Sequence, residues 1–149
     1  MENREYYTPS IEELFIGYEC EMKYTDNRNK GMIYHDANVY NWNKFIIDRD
    51  FHCRGYSEYG AETDIQIRTK YLDKQNIIDL GWEFIEDLGN NIHFKKGSYL
   101  LNFHKTNGYF KNAVEIFFAA PTGMCIFRGI VKSKNELKKL LKDYLNIPI

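Results

Sequence analysis

Cysteine and proline are both scarce in this sequence. The three cysteines, Cys20, Cys53 and Cys125, are widely spaced and form no CxxC pair. That spacing argues against a disulfide framework and against a zinc ribbon, so we expect buried free thiols. The chain has only three prolines, and no linker, internal repeat or low-complexity tract interrupts it. Its length of 149 residues therefore predicts a single domain over residues 1–149.

Long apolar runs are missing as well. The longest run covers residues 114–121, contains Glu115, and is far shorter than the roughly 20 residues of a membrane span. The first five residues are polar and lack the apolar stretch of a secretory signal. We therefore expect a cytoplasmic protein that makes no membrane contact.

An excess of charge of either sign is also absent. The 20 Lys and Arg residues balance 21 Asp and Glu residues, for a net charge of −1. This balance excludes a strongly basic nucleic-acid-binding protein and a strongly acidic mimic of DNA. The charges are unevenly spread, however: residues 1–21 hold six Glu and one Arg, whereas residues 128–142 hold six Lys or Arg and one Glu. Two solvated faces, or a bipolar surface that docks a charged partner, would each explain this pattern.

Aromatic residues, in contrast, are abundant, at 16% of the chain. Hydrophobic patterning assigns several of them to strands and predicts that the core contains Trp42, Phe45, Trp82, Phe84, Phe103, Phe117 and Phe127. Other tyrosines fall in turns, loops or strand edges, namely Tyr6, Tyr7, Tyr40, Tyr56, Tyr59 and Tyr109. These exceed what one core needs, and because Tyr and Trp are enriched at contact hot spots, they favour a binding surface.

The order of these patterns predicts an α+β fold, a mainly antiparallel sheet of about six to seven strands with helices beside it. Ser10 and Glu13 fit a capping box for a short N-terminal helix that Gly17 ends. Asp73 is expected to cap a short middle helix over residues 74–80. Alternation of period two predicts strands between and after them, over residues 18–24, 42–47, 63–70, 82–86, 98–105, 113–119 and 124–131.

The C-terminal region carries the clearest helical signal. Ser133 and Glu136 form a second capping box. Beyond it, apolar residues recur at helical spacing and form one stripe, which consists of Leu137, Leu140, Leu141, Tyr144 and Leu145. We expect this stripe to pack on one face of the sheet.

No spacing typical of a metal or catalytic site is present. The four histidines, His35, His52, His93 and His104, form no HxH, HxxxH or HExxH motif. We therefore predict no metal, no cofactor and no catalytic residue. An enzyme such as a small nuclease or hydrolase stays open as an alternative, and it would use Cys53, His52 or the pair Glu19 and Glu21, which share one face of a predicted strand.

Three segments resemble small proteins of bacterial phages and mobile elements. The first is the opening, Pro-Ser-Ile-Glu-Glu-Leu-Phe-Ile-Gly-Tyr-Glu-Cys-Glu, over residues 9–21, in which Leu14 and Cys20 replace the aromatic residues common in that group. The others are residues 67–82 and the close Phe-Arg-Gly-Ile at residues 127–130, followed by Glu136 and Leu137. The group brings no known activity and no site residues. What the resemblance implies is context, since small proteins of this origin often bind host machinery.

We therefore expect a non-enzymatic phage or mobile-element accessory protein that binds a host protein or ribonucleoprotein. Inhibition of a CRISPR effector is the expected activity, with RNA contact through the basic C-terminal region. The predicted partner-binding residues are Arg128, Lys132, Lys134, Lys138, Lys139, Lys142, Tyr56, Tyr59 and Tyr109. An enzyme, or a structural protein that self-associates through an exposed strand edge, remains the alternative.

Overall fold

A computed structural model describes residues 5–24, 41–49, 65–105, 112–119 and 123–149. The chain divides into two compact units, Met1–Lys70 and Tyr71–Ile149. Within the described residues the strands are antiparallel and form two sheets, accompanied by two short α-helices. The predicted α+β class and antiparallel pairing are therefore confirmed, whereas the single domain over residues 1–149 stays a prediction.

The first unit contains a four-stranded sheet. Its strands are β1 (Tyr6–Tyr7), β2 (Glu19–Tyr24), β3 (Asn43–Ile46) and β4 (Ile65–Lys70), in the spatial order β1-β4-β2-β3. One face of this sheet meets a small core formed by Leu14, Tyr18, Cys20, Ile47 and Ile67. Burial raises the pKa of the Cys20 thiol to about 11, and the nearby Glu21 adds to this, so the thiol stays protonated at neutral pH.

The predicted N-terminal helix is a single 3₁₀ turn, Ile11–Glu13. The capping signal is present, because Glu13 Oε1 accepts a 3.4 Å hydrogen bond from the backbone N–H of Ser10. Gly17 follows four residues later with φ of +91° and ends the segment. So short a stretch cannot offset the cost of starting an α-helix, so only the tighter turn forms.

The second unit is built on a five-stranded sheet whose strands lie side by side in chain order. They are β5 (Glu83–Asp87), β6 (Asn91–Lys96), β7 (Tyr99–His104), β8 (Ala113–Phe118) and β9 (Met124–Ile130). Helix α1 (Lys74–Asp79) precedes the sheet, and α2 (Lys134–Lys139) follows it and continues into a π-helical turn, Leu140–Tyr144. The described residues thus hold nine strands instead of six to seven, and the two unpredicted ones are β1 and β6.

One face of the five-stranded sheet is buried with both helices in a single cluster. Phe94, Leu101 and Ile116 supply its centre from three neighbouring strands, and Leu137 and Leu141 pack on them from the C-terminal helix. Trp82 is also buried, and its indole N–H has no hydrogen-bond partner among the described residues. The prediction that the C-terminal stripe packs on one sheet face holds for these leucines.

Tyr144 departs from the predicted stripe because the helix changes its register. In the π-helical turn the backbone N–H of Leu145 bonds to the carbonyl of Leu140, five residues earlier, at 3.1 Å. Because this turn holds more residues than an α-helical turn, Tyr144 is rotated away from the core. It points to solvent with 71% of its surface exposed. Ile147, which is 2% exposed, takes the buried place instead.

The predicted aromatic core is correct in part. Trp82 and Phe103 are buried, and Phe45 and Phe127 pack against the two cores. Trp42 and Phe117 are only half-buried, and Phe84 is 39% exposed because it lies on the outermost strand β5. Of the expected buried thiols, Cys20 is buried, Cys125 is exposed on the outermost strand β9, and Cys53 lies outside the described residues.

The π-helical register predicts effects of very different size for two nearby substitutions. Leu141→Ala should lower the free energy of unfolding by about 2–5 kcal/mol, because it leaves a cavity in the core. Tyr144→Ala should change it by less than about 0.5 kcal/mol, because the ring is exposed. Urea denaturation measures both, and a Tyr144→Ala variant as unstable as Leu141→Ala would contradict this register.

Candidate functional site

The outer face of the four-stranded sheet carries a cluster of one cation and two aromatic rings. Arg68 projects from β4, where period-two alternation places it opposite the buried Ile67 and Thr69. Its guanidinium carbon lies 4.0 Å from the ring centre of Tyr6 on β1 and 4.2 Å from that of Trp42, next to β3. We call Tyr6, Trp42 and Arg68 the aromatic cluster.

Glu21 fixes the guanidinium in this position. It lies opposite Arg68 in the β2–β4 pairing, and its Oε2 accepts a 2.6 Å hydrogen bond from the Arg68 Nε. The Nζ of Lys23 also lies 4.8 Å from the centre of the Trp42 ring. Contacts of a cation with an aromatic ring contribute roughly 0.5–2 kcal/mol each, so the rings and the guanidinium hold one another in a defined arrangement.

The sequence did not identify this cluster, although part of the signal was there. Alternation correctly places Arg68 on the outer side of its strand, and Glu19 and Glu21 together on β2. The prediction that Trp42 belongs to the core rests on the usual burial of large aromatic residues in strands. It is wrong, because Trp42 is only half-buried. Glu21, considered above as one of a pair of catalytic acids, instead anchors Arg68.

The predicted basic residues are spread over β9, α2 and the π-helical turn. Arg128 lies on β9, where its Nη2 is 2.8 Å from Glu115 Oε2. Lys132 and Lys134 flank the start of α2, and the Lys134 Nζ lies 3.9 Å from Asp79 Oδ2. The remaining three, Lys138, Lys139 and Lys142, lie at the end of α2 and in the π-helical turn. Tyr56, Tyr59 and Tyr109 lie outside the described residues, so they stay predictions.

Arg128 belongs to a polar row on the outer face of the five-stranded sheet. The strand register aligns one residue from each strand in this row: Glu86, His93, Asn102, Glu115 and Arg128. His93 Nδ1 lies 2.8 Å from Glu86 Oε1, and Glu115 Oε1 accepts a 2.6 Å hydrogen bond from His104 Nε2. Such cross-strand pairs stabilise the sheet.

Glu115 is the most enclosed carboxylate of the row, with 14% of its side chain exposed. Desolvation by burial alone would raise its pKa. The hydrogen bonds from His104 and Arg128 outweigh that effect and hold the pKa below the ordinary value of 4.5. The carboxylate is therefore ionised at neutral pH and ties β7 to β9.

This row does not resemble a metal centre. Among the residues that the structure describes, no three His, Cys, Asp or Glu side chains come together in a group able to hold an ion. His35, His52 and Cys53 lie outside those residues. The contact between the Glu115 carboxylate and the His104 imidazole is one of the cross-strand pairs that stabilise the sheet.

The lowered pKa of Glu115 gives the stability a defined pH dependence. A carboxyl group whose pKa is lowered in the folded state stabilises the fold at pH values above its ordinary pKa. That stabilisation is lost as the pH falls through the lowered pKa. Glu115→Gln should thus lower the free energy of unfolding by about 1–3 kcal/mol at neutral pH, and by much less in acid. Urea denaturation at both pH values tests this, and a pH-independent difference would show that the charge of Glu115 is not what stabilises the sheet.

Comparisons with known proteins do not assign this chain to a family. No family model, curated protein or solved structure matches it. None of the helices in the described ranges is long and apolar enough to cross a membrane. The described residues offer two candidate binding surfaces, the aromatic cluster and the basic C-terminal residues.

Proposed function

We propose that this chain is an accessory protein of a phage or mobile element that binds host machinery through the aromatic cluster. The expected partner is a host protein or ribonucleoprotein, and the expected effect is inhibition of a CRISPR effector. The observation that carries the proposal is the contact of Arg68 with the rings of Tyr6 and Trp42 on the outer face of a sheet. The phage context comes from the sequence resemblance.

The composition of the cluster favours protein contact. Trp, Tyr and Arg are the residue types most enriched at interface hot spots. Tyr6, Trp42 and Arg68 are all half-buried, so a partner could still remove apolar surface from water there. Their mutual contacts, together with the hydrogen bond to Glu21, reduce the side-chain entropy that binding would otherwise cost.

The alternatives find less support in the described residues. Glu21 forms an ion pair with Arg68. This pairing disfavours an enzyme in which Glu19 and Glu21 act together as two catalytic carboxylates. Self-association through a sheet edge is disfavoured in the second unit, because the strand register shifts near both edges, between Phe84 and Glu86 and between Ile116 and Phe117. Such irregularities are a common device against edge pairing.

Cleavage of target DNA by purified CRISPR effector ribonucleoproteins, with and without the protein, tests the proposal. We expect the wild-type protein to inhibit at least one effector. Arg68→Lys keeps the charge but loses the planar group that stacks on the rings, and Trp42→Ala removes one ring. Each variant should weaken inhibition by about 30-fold, the effect of losing about 2 kcal/mol at a hot spot.

Gln66→Ala is the matched control, since Gln66 lies on the same strand and face as Arg68 and is exposed. It should inhibit as well as the wild type. Thermal melting of each variant checks that the fold is retained. The proposed surface is wrong if folded Arg68→Lys and Trp42→Ala inhibit like the wild type, and the proposed activity is wrong if no effector is inhibited or bound.

A further inference from the structure

Arg68 lies in a line of charged residues that crosses three strands of the four-stranded sheet. The strand pairing places Lys44 of β3 opposite Glu21 of β2, and Glu21 opposite Arg68 of β4. Residues paired in this way project from the same face of a sheet. Lys23 follows two residues after Glu21 on that face, where its Nζ approaches the Trp42 ring. Three cations therefore occupy the positions around Glu21.

Most of the hydrogen-bonding capacity of the Arg68 guanidinium is unused. Its Nε donates to Glu21, and no other described residue accepts a hydrogen bond from its Nη1 or Nη2. Both of these nitrogens reach solvent, and 29% of the side chain is exposed. The contacts with the rings of Tyr6 and Trp42 hold the planar group without occupying the remaining N–H donors. The guanidinium is thus held in place and open to an external acceptor.

The two lysines near Arg68 add positive charge that is not neutralised locally. Neither Lys23 nor Lys44 forms an ion pair with any described residue. Lys70, farther along β4, is in contrast paired with Glu5 at 3.2 Å. Because Glu21 already pairs with Arg68, this part of the face carries an excess of positive charge. Such an excess beside accessible N–H donors favours a ligand of negative charge.

We propose that the aromatic cluster, together with Lys23 and Lys44, recognises carboxylate side chains in an acidic segment of the partner protein. Nη1 and Nη2 of Arg68 donate two parallel hydrogen bonds to one carboxylate, a pairing that the planar guanidinium favours. The lysines attract the acidic residues beside it. A nucleic acid fits less well, because Glu19 and Glu21 on β2 repel its continuous line of phosphates.

The choice of a protein ligand rests on the proposed function, but its measurement on a free peptide needs no effector. Binding of an acidic peptide by a protein that inhibits no effector would contradict the proposed function alone. Inhibition of an effector without binding of the peptide would contradict the acidic ligand alone. The two failures are therefore distinguishable.

Fluorescence anisotropy of a labelled peptide of Glu-Ser-Gly repeats measures the binding, and the same peptide with Gln in place of Glu is its control. We expect the acidic peptide to bind about 10-fold to 100-fold more tightly, the effect of hydrogen bonds to a charged group. Added salt should weaken this binding, because the charges are exposed. In NMR spectra the indole N–H signal of Trp42 should shift, whereas that of buried Trp82 should not.

Substitutions identify the groups that recognise the carboxylate. Arg68→Lys keeps the charge but loses the two parallel donors, so it should weaken binding of the acidic peptide by about 10-fold. Lys44→Gln, at an exposed side chain, should weaken it by about twofold to fivefold. Lys95→Gln, at an exposed lysine on β6 in the second unit, is the matched control and should bind like the wild type. Circular dichroism verifies that each variant is folded.

Three results would overturn the proposal. They are equal binding of the Glu and Gln peptides, equal binding of the acidic peptide by folded Arg68→Lys and the wild type, and tighter binding of an oligouridine than of the acidic peptide.

Discussion

The burial of one face of each sheet is the constraint on which the rest of the structure depends. Side chains alternate along a strand, so every residue committed to the core fixes its neighbours on the other face. Ile67 and Thr69 are buried, and Arg68 between them is therefore directed outward. In the second unit, buried Val114 and Ile116 leave Glu115 on the outer face in the same way. Both polar networks follow from this alternation.

The local parts of the fold could be predicted from the sequence. Asp73 caps α1 as expected, with its Oδ1 accepting a 2.8 Å hydrogen bond from the backbone N–H of Asn76. The strands with clear alternation also lie where predicted. Two features could not be predicted, because they depend on distant contacts. Strand β1 exists only through its pairing with β4, and the π-helical turn directs Tyr144 to solvent and Ile147 into a core that distant strands of the sheet form.

The candidate sites could likewise be predicted only where they depend on local sequence and not on distant contacts. The basic residues at the C-terminus were evident from the sequence, but the sequence did not show that Arg128 belongs to a cross-strand network with Glu115. The aromatic cluster was missed because Tyr6, Trp42 and Arg68 come from three separate segments of the chain. The aromatic cluster and the basic C-terminal residues lie in different units of the chain.

Hydroxyl-radical footprinting of the protein alone and in complex with an effector ribonucleoprotein tests the central claim most directly. Oxidation is read by mass spectrometry at individual side chains, and buried Trp82 supplies an internal reference that should react little in either state. If the aromatic cluster is the contact surface, oxidation of Tyr6 and Trp42 should fall several-fold in the complex. A complex that forms while both residues remain as reactive as in the protein alone would contradict the claim.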